Sequence, residues 1–309
     1  MRFCSVPFAS DLSRARVCVL LVAALAPGRA IAQPHAYELR LGDRVGQSSR
    51  YRLTFEIRMR AEYKSAVQPD ERTRRLIDAL SSGMVLRTAM EYQQTLAEVE
   101  DDGTRVFDVR WHDYEFAGEI GGKPVPVPPT HVEATKQLLA SSARVRTAPT
   151  GRTLEVNYSN PGLSAPKRSF ETLEGALPTY LPQQPVSVGD RWTSTARFPV
   201  GATGSGAIGS LGLELTHELA EVREGAEGPI AVIRLSGSYS QLEGMSEAMA
   251  GLPMHFEATL TGETEFNIAK GRFTDGHYEI DMFALHADRG VEVELIGHAD
   301  GDLELLGGP

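Results

Sequence analysis

Residues 51–63 read YRLTFEIRMRAEY, and this stretch decides the fold class. From Tyr51 onward every second residue is apolar or small, whereas the residues between them are Arg, Thr or Glu. Because successive side chains of a strand point to opposite faces of its sheet, the alternation predicts a strand with one buried and one solvated face. One-faced strands of this kind are typical of antiparallel sheets.

The same alternation returns along most of the chain, for example between Met254 and Ile268. Further strands are predicted at about 84–99, 105–117, 143–148, 153–159, 190–200, 211–223, 229–240, 272–286 and 291–305. Many of them exceed the usual length of about five or six residues. Long strands with a single apolar face favour a strongly curved sheet over a small sandwich. We therefore expect a mainly β protein with an antiparallel curved sheet or an incomplete β-barrel.

Helical patterns occur in the connections between these strands, at 69–82, 130–140, 170–177 and 240–251. The first begins at Pro69 with acidic residues and ends before Gly83, both of which are common helix boundaries. The second contains Thr130 and Glu133, which have the spacing of a capping box. We expect a few short helices that join strands.

The N-terminus has the pattern of a cleavable signal peptide. Basic residues precede an apolar run at Val17–Ala26, which is too short to span a bilayer. Ala30 and Ala32 are small residues at the two positions that signal peptidase reads, so we place the cut before Gln33. We expect residues 1–32 to be removed and the mature protein to be exported, to the periplasm or the exterior of a bacterial cell.

Removal of this segment changes the chemistry that the chain can perform. Cys4 and Cys18 both lie in it, so we expect a mature chain without a disulfide, a thiol nucleophile or a thiolate metal site. The mature chain keeps 27 basic and 40 acidic side chains, a net charge of −13. Such a chain repels phosphate backbones, which argues against nucleic acid as a partner. No second apolar stretch approaches the length of a membrane span, so we expect no integral membrane segment after cleavage.

Three short motifs recur in the same order in the two halves of the chain. They are Gly42–Arg44 and Gly189–Arg191, Leu96–Val99 and Leu219–Val222, and Thr150–Arg152 and Lys270–Arg272. Their common order favours an internal duplication. We therefore expect a first β half at 33–177, with a helical insert at about 69–82, and a second β half at 188–309. A Pro-rich link at 178–187 joins them.

The end of that link carries the sequence PVSVGDRW at Pro185–Trp192. Upstream, the chain contains GKPV at Gly122–Val125 and PTGRTLE at Pro149–Glu155. These motifs resemble those of a family of exported bacterial proteins of unknown function, and the resemblance covers most of the mature chain. It implies no catalytic residue. More loosely, long antiparallel strands with helices in their connections are similar in architecture to the envelope lipoprotein carriers, whose half-barrel holds acyl chains.

Three motifs match enzyme patterns in spacing but not in context. Gly204–Gly209 has the glycine spacing of a dinucleotide site, but a predicted strand follows it where such a site needs a helix. Ser164 and Lys167 have a Ser-x-x-Lys spacing, but the prolines around them favour a loop. His112–Asp113 lies where the alternation slips, which predicts a bulge, and adjacent strand residues point to opposite faces. We expect no catalytic residue and no cofactor.

Two histidines, His286 and His298, flank a predicted hairpin turn at Arg289–Gly290. If that turn has two residues, Asp281 faces His298, while Val293 faces His286. The two histidines then lie far apart and on opposite faces of the sheet. A metal site needs ligand atoms that converge within about 2 Å of one ion. We therefore expect no metal site here.

The large apolar residues of these strands form either a plain core or the lining of a cavity. Candidate ligand-binding residues are Phe55, Met59, Trp111, Trp192, Phe256 and Phe266. A long curved sheet can enclose more space than its side chains fill, and Met suits adaptable apolar sites. The favoured hypothesis is a non-enzymatic envelope protein that binds an apolar or amphiphilic ligand, such as a lipid, or an envelope protein partner. A hydrolase whose residues converge from distant strands and a structural interaction module are the alternatives.

Overall fold

The computed structural model describes residues 35–64, 71–160, 180–200, 209–243, 254–288 and 291–307. Most of these residues lie in strands, as the alternation predicts. The strands are β1 Ser48–Tyr63, β2 Met84–Val99, β3 Arg105–Ile120, β4 Lys123–Val125, β5 Ser142–Thr147, β6 Thr153–Tyr158, β7 Arg191–Val200, β8 Gly209–Gly225, β9 Gly228–Glu243, β10 Met254–Asn267, β11 Arg272–Asp288 and β12 Val291–Gly307. The helices of the described part are α1 Glu71–Ser81 and α2 Pro129–Leu139.

All of these strands belong to one antiparallel sheet, in the order β6-β5-β3-β2-β1-β12-β11-β10-β9-β8-β7. The short β4 lies off this path and pairs with the end of β3. The first and last strands meet in the middle, because β1 pairs with β12 from Arg50 to Tyr63. The chain that leads from β6 to β7 therefore joins the two outer edges of the sheet.

The sheet curves until the inner faces of its two halves meet in one core. Trp111 of β3 and Val145 of β5 share this core with Leu219 of β8 and Ile233 of β9, although these strands lie far apart in the sheet. In the described structure the edges β6 and β7 do not pair with each other, so the sheet is not closed into a barrel. The predicted mainly β fold, an antiparallel curved sheet with short connecting helices, is confirmed.

Residues 180–190 connect the two edges at one end of the sheet. The backbone N–H of Leu181 donates to the carbonyl oxygen of Thr150, in the turn between β5 and β6, at 2.7 Å. The N–H of Gly189 donates to the carbonyl oxygen of Leu219 on β8 at 2.8 Å. Between these contacts, Val186 forms an antiparallel bridge with Tyr37. This end of the sheet is thus held together by backbone hydrogen bonds across the gap.

The two described helices fall where two of the four helices are predicted. In α1, Ile77 packs against Ala61 of β1 and Val293 of β12, at the opposite end of the sheet from residues 180–190. In α2, Leu138 joins the main core. The N-cap of α2 is Pro128, which forms no side-chain cap hydrogen bond, and the helix starts at Pro129. The predicted capping box at Thr130 and Glu133 is therefore wrong. The backbone of Pro129 is fixed in a conformation that suits the first position of a helix, so the helix starts one residue before Thr130.

The helix predicted at 240–251 is wrong over its first residues. Residues 240–243 continue β9, and Leu242 pairs with Leu211 of β8. Pairing with a neighbouring strand overrides the local helical pattern, which is a common outcome for short segments. The rest of that predicted helix, and the helix predicted at 170–177, lie outside the described residues.

The two LAEV motifs adopt the same local geometry in the two halves. The strand register shifts between Leu96 and Glu98 in β2, and between Leu219 and Glu221 in β8, so each motif carries a bulge at its Ala. In each half a turn glycine precedes the partner strand and donates its N–H to the motif's first carbonyl at 2.8 Å. The pairs are Gly46 with Leu96 and Gly189 with Leu219.

Both turn glycines have a positive φ, 85° at Gly46 and 92° at Gly189. Gly46 is therefore the structural equivalent of Gly189, whereas the sequence motif matches Gly189 with Gly42, four residues earlier. The matched turns and bulges support an internal duplication, but the division at 178–187 into two β halves stays a prediction.

Candidate functional site

At the centre of the sheet, large side chains of β1 and β11 lie over glycines of β12. Phe55 pairs with Gly301, and Met59 pairs with Gly297. A methyl group at Gly301 would lie 2.6 Å from the Phe55 ring, and one at Gly297 would lie 3.1 Å from Cε of Met282. The glycines therefore leave the space that these larger side chains occupy on the inner face.

Packing on this inner face is loosest in the middle of β1, between the buried Leu53 and the buried Ala61. Tyr51 and Leu53 are buried, whereas Phe55, Ile57 and Met59 are partly exposed. The apolar inner-face residues around them are also partly exposed, and we call the whole set the inner apolar surface. It consists of Phe55, Ile57, Met59, Leu86, Phe116, Ile280 and Met282. A concave surface of this composition suits an apolar ligand.

Two of the other predicted ligand-binding residues lie in the core, and a third is only partly described. Phe266 is 0% exposed and packs edge-on against Phe273, with ring centroids 5.1 Å apart. Trp111 is 4% exposed and stacks on Tyr158. Phe256 belongs to β10, but its side chain lies outside the described part of the chain. The structure thus brings Phe55 and Met59 onto one surface and packs Phe266 and Trp111 into the core, and the ligand contacts of all six stay predictions.

The sixth residue, Trp192, stands in the wall of a groove of about 1020 Å³. This edge groove is lined by the β5–β6 turn with Arg152, by residues 180–186 and by 190–195 at the start of β7. The indole N–H of Trp192 donates to the carbonyl oxygen of Tyr180 at 3.0 Å. Its ring stacks on His217, with centroids 5.4 Å apart and the planes nearly parallel. Trp192 thus lines the groove and also packs against the core.

A serine and a histidine from neighbouring strands meet beside this tryptophan. Oγ of Ser194, which lines the edge groove, lies 2.8 Å from Nε2 of His217 on β8. His217 is 0% exposed, and burial lowers its pKa to about 4, so its ring is neutral near pH 7. Nδ1 of His217 is buried and has no hydrogen-bond partner within the described structure. Sequence reasoning missed this pair because the two residues lie far apart in the chain and form no motif.

The charges that line the edge groove are mainly positive, in contrast to the whole chain. They are Arg40, Arg152, Arg191 and Asp190. Arg40 pairs with Glu38 at 2.5 Å, and Arg191 pairs with Glu218 at 2.6 Å. Arg152 forms no ion pair with any residue that the structure describes. The groove therefore offers an unpaired guanidinium beside an apolar wall.

The outer face of β11 and β12 carries a separate set of polar contacts. The register places Asp281 opposite His298 and Val293 opposite His286, as the hairpin prediction requires. Nδ1 of His298 lies 2.8 Å from Asp281, and its Nε2 lies 3.1 Å from Asp300. These carboxylates raise the pKa of His298. Among the described residues, no group of three or more His, Cys, Asp or Glu side chains has the arrangement of a metal site.

The remaining sequence motifs are placed only in part. His112 is the extra residue of a bulge, because Asp113 pairs with Glu91 and Trp111 with Tyr92, which confirms the predicted slip. Gly209 begins β8, so a strand follows the glycine-rich motif as expected, while 204–208 lie outside the described residues. Ser164 and Lys167 also lie outside them. No helix of the described part is long and apolar enough to cross a membrane.

Comparison with known proteins gives a fold and no family. No protein-family model and no curated protein matches the chain. The fold is similar to that of lipovitellin. A solved structure described as lipid–protein interactions in lipovitellin aligns with a TM-score of 0.50 and 12% identity, over 87% of this chain and 26% of that one. This chain thus spans about a quarter of the lipovitellin chain, and at this identity the likeness concerns the fold alone.

A second solved structure, the outer membrane protein Omp33 of Acinetobacter baumannii, aligns with a TM-score of 0.14 and 9% identity. The alignment covers 83% of this chain and 98% of Omp33, and a TM-score this low does not indicate a common fold. The resemblance of the PVSVGDRW motif to a family of exported bacterial proteins stays a prediction, since no family model matches it.

Proposed function

We propose that this protein is an exported, non-enzymatic envelope protein that holds an apolar or amphiphilic ligand against its inner apolar surface. The observation that carries this proposal is the partial exposure of Phe55, Ile57 and Met59 on the concave side of an open sheet. Exposed apolar area on a concave surface is typical of a binding site. Each buried CH₂ group of a ligand would contribute about 0.8 kcal/mol.

Three further features support the same proposal. The glycines opposite Phe55 and Met59 make the floor of the surface thin, and Met59 and Met282 give it side chains that adapt to different ligand shapes. The sheet fold is shared with lipovitellin, whose structure was described for its lipid–protein interactions. The predicted signal peptide at 1–32 agrees with a role outside the cytoplasm.

The proposal is tested by releasing the protein's own ligand. The protein is purified from the envelope of the expressing cells without detergent, and its mass is measured by native mass spectrometry before and after solvent extraction. We expect an added mass that extraction removes and that chemical analysis assigns to a lipid or related molecule. A protein that comes off empty, and that also fails to bind a fluorescent fatty acid, would contradict the proposal.

A hydrolase is the second candidate, and Ser194 with His217 is the observation that favours it. Two features weaken it. A base with a pKa of about 4 accepts a proton poorly near pH 7. The described structure also provides no carboxylate at Nδ1 of His217, where serine hydrolases orient the ring. Hydrolysis of p-nitrophenyl esters that disappears in Ser194→Ala would establish the hydrolase.

An envelope protein partner is a further expectation of the same proposal. The strands β6 and β7 are the two ends of the strand order in the described structure, and edge strands can pair with a strand of another chain. Cross-linking in intact cells that enriches one envelope protein with the wild type would support this partner.

A further inference from the structure

The edge groove differs from its counterpart in the first half of the chain. Leu96 and Leu219 are equivalent, so Gln94 and His217, two residues before them, are equivalent as well. Their pairing partners on the neighbouring strands, Ser49 and Trp192, therefore also correspond. Two residues further along the partner strands, Tyr51 corresponds to Ser194. In the first half, Tyr51 lines a cavity of only about 40 Å³, and the groove of about 920 Å³ along residues 38–47 does not include it, whereas Ser194 itself lines the edge groove of about 1020 Å³.

The small side chain of Ser194 thus accompanies open space, whereas the phenol ring of Tyr51 accompanies a nearly filled core. Ser194 remains partly exposed to this space, although its partner His217 is fully buried. A polar hydroxyl held in place by a buried ring, at the wall of a groove, is a suitable contact for a ligand.

From these features we propose that the edge groove binds the anionic head group of an amphiphile, with Ser194 as hydrogen-bond donor and Arg152 as its cation. This inference rests on the proposed function, because it names the polar end of the ligand whose apolar part lies on the inner face. The head-group chemistry is that of an oxyanion, either a carboxylate or a phosphate.

The orphaned Nδ1 of His217 sets the direction of the hydrogen bond to Ser194. A buried N–H without an acceptor is rarer in proteins than a buried acceptor without a donor. The neutral ring therefore carries its proton on Nε2 and leaves Nδ1 bare. Nε2–H donates to Oγ of Ser194, so the hydroxyl hydrogen of Ser194 is free to donate to an acceptor in the groove.

The charges of the groove select an anion as that acceptor. Arg152 lies at the turn on one side of the groove, and it pairs with no carboxylate of the described residues. The ion pairs of Arg40 and Arg191 are solvent-exposed and therefore weak, so both cations can also turn toward a bound anion. The acidic side chain of the lining, Asp190, is held in the turn at 187–190, because its Oδ2 accepts the N–H of Ser187 at 2.7 Å.

The edge groove also has an apolar wall. Tyr180, Leu181 and Trp192 line the groove, and all three also belong to or pack against the main core. Phe55 and Met282 of the inner apolar surface pack against that same core. An anionic head at Arg152 and Ser194 therefore lies beside apolar side chains that can receive the first methylene groups of a tail.

Isothermal titration with decanoate and decanol tests the head-group site, since the two probes share a chain length and differ in charge. We expect decanoate to bind at least about ten-fold more tightly than decanol. Arg152→Gln and Ser194→Ala should each reduce this preference without changing the affinity for decanol. Arg110→Gln, an exposed arginine on β3, is the matched control and should leave the preference intact. Equal affinities for the two probes, or an unchanged preference in both variants, would overturn the head-group site.

Inorganic phosphate and decyl phosphate complete the experiment. Tighter binding of decyl phosphate than of decanoate would identify a phosphate head, and the reverse would identify a carboxylate. Binding of decanol without any preference for anions would leave the apolar proposal standing and remove the head-group site. Binding of inorganic phosphate that Arg152→Gln abolishes, without binding of any of the three ten-carbon probes, would support the head-group site and remove the apolar proposal. No binding of any probe would overturn both.

Discussion

Oγ of Ser194 lies 2.8 Å from Nε2 of His217, at the positions that Tyr51 and Gln94 occupy in the first half of the chain. The two halves thus share a backbone arrangement and differ in what fills the space above it. Where the first half has a phenol ring, the second half has a hydroxyl and an open groove. Tyr51 therefore occupies a purely structural position, whereas Ser194 occupies a candidate binding position.

The first prediction concerns the pH dependence of stability. Burial lowers the pKa of His217 to about 4, so the unfolded chain takes up a proton at higher pH than the folded one does. Stability from this residue is therefore complete above pH 6.5 and is lost as the pH falls toward 4. Between pH 7.5 and pH 5 the wild type should lose about 2 kcal/mol more than His217→Gln, because the amide does not titrate.

Urea denaturation at both pH values measures this difference. Glutamine is a suitable replacement because Gln94 occupies the equivalent position. The same loss of stability in both proteins would show that His217 is not buried as a neutral ring.

The second prediction concerns the outer face of β11 and β12. The hydrogen bond to Asp281 raises the pKa of His298, and a separate bond to Asp302 raises that of His277. Asp281→Asn should lower the pKa of His298 toward its ordinary value, since the charged ring loses its main partner. His277 serves as the internal control and should titrate as before. Proton NMR of the two imidazole rings checks both, and an unchanged His298 would contradict the predicted contact.

The third prediction separates core from candidate surface. Phe266 is fully buried, so Phe266→Ala should destabilise the protein by about 3–5 kcal/mol. Phe55→Ala should cost clearly less, because Phe55 is partly exposed, but it should weaken ligand binding. Thermal or urea unfolding, together with probe titration, measures both effects. Equal stability losses at the two positions would contradict the difference in packing.

The fourth prediction concerns the contact between Gly301 and Phe55. A Cβ atom at Gly301 would press on the Phe55 ring, so Gly301→Ala should cost about 1–3 kcal/mol. In a Phe55→Ala background the same change should cost much less, because the ring that it meets is absent. A double-mutant cycle measures this coupling, and additive effects would mean that the two residues do not compete for space.

The strands and their register could be predicted from the sequence because a strand has a period of two and one buried face. The alternation in residues 51–63 gives β1, and the assumption of a two-residue turn correctly pairs Asp281 with His298. The slip in alternation at His112 correctly gives a bulge. These features depend on residues that are neighbours in the chain, so the local sequence pattern is sufficient to predict them.

Features that depend on distant contacts could not be predicted in this way. Residues 240–243 form a strand because they pair with β8, which no local pattern reveals. Ser194 and His217 meet because two strands of different sequence are neighbours in the sheet. The open space beside Ser194 is bounded by residues 180–186, which are distant from β8 in the chain. The glycines of β12 face Phe55 and Met59 only because of the register between β12 and β1.

Titration with a fluorescent fatty acid tests the central proposal most directly. Met59→Glu adds a negative charge on the inner apolar surface, whereas Arg60→Gln changes the net charge equally on the opposite face of β1. We predict saturable binding by the wild type and by Arg60→Gln, and an affinity at least about ten-fold lower for Met59→Glu, since a buried unpaired charge is costly. Absence of saturable binding by the wild type, or equal binding by all three proteins, would contradict the account.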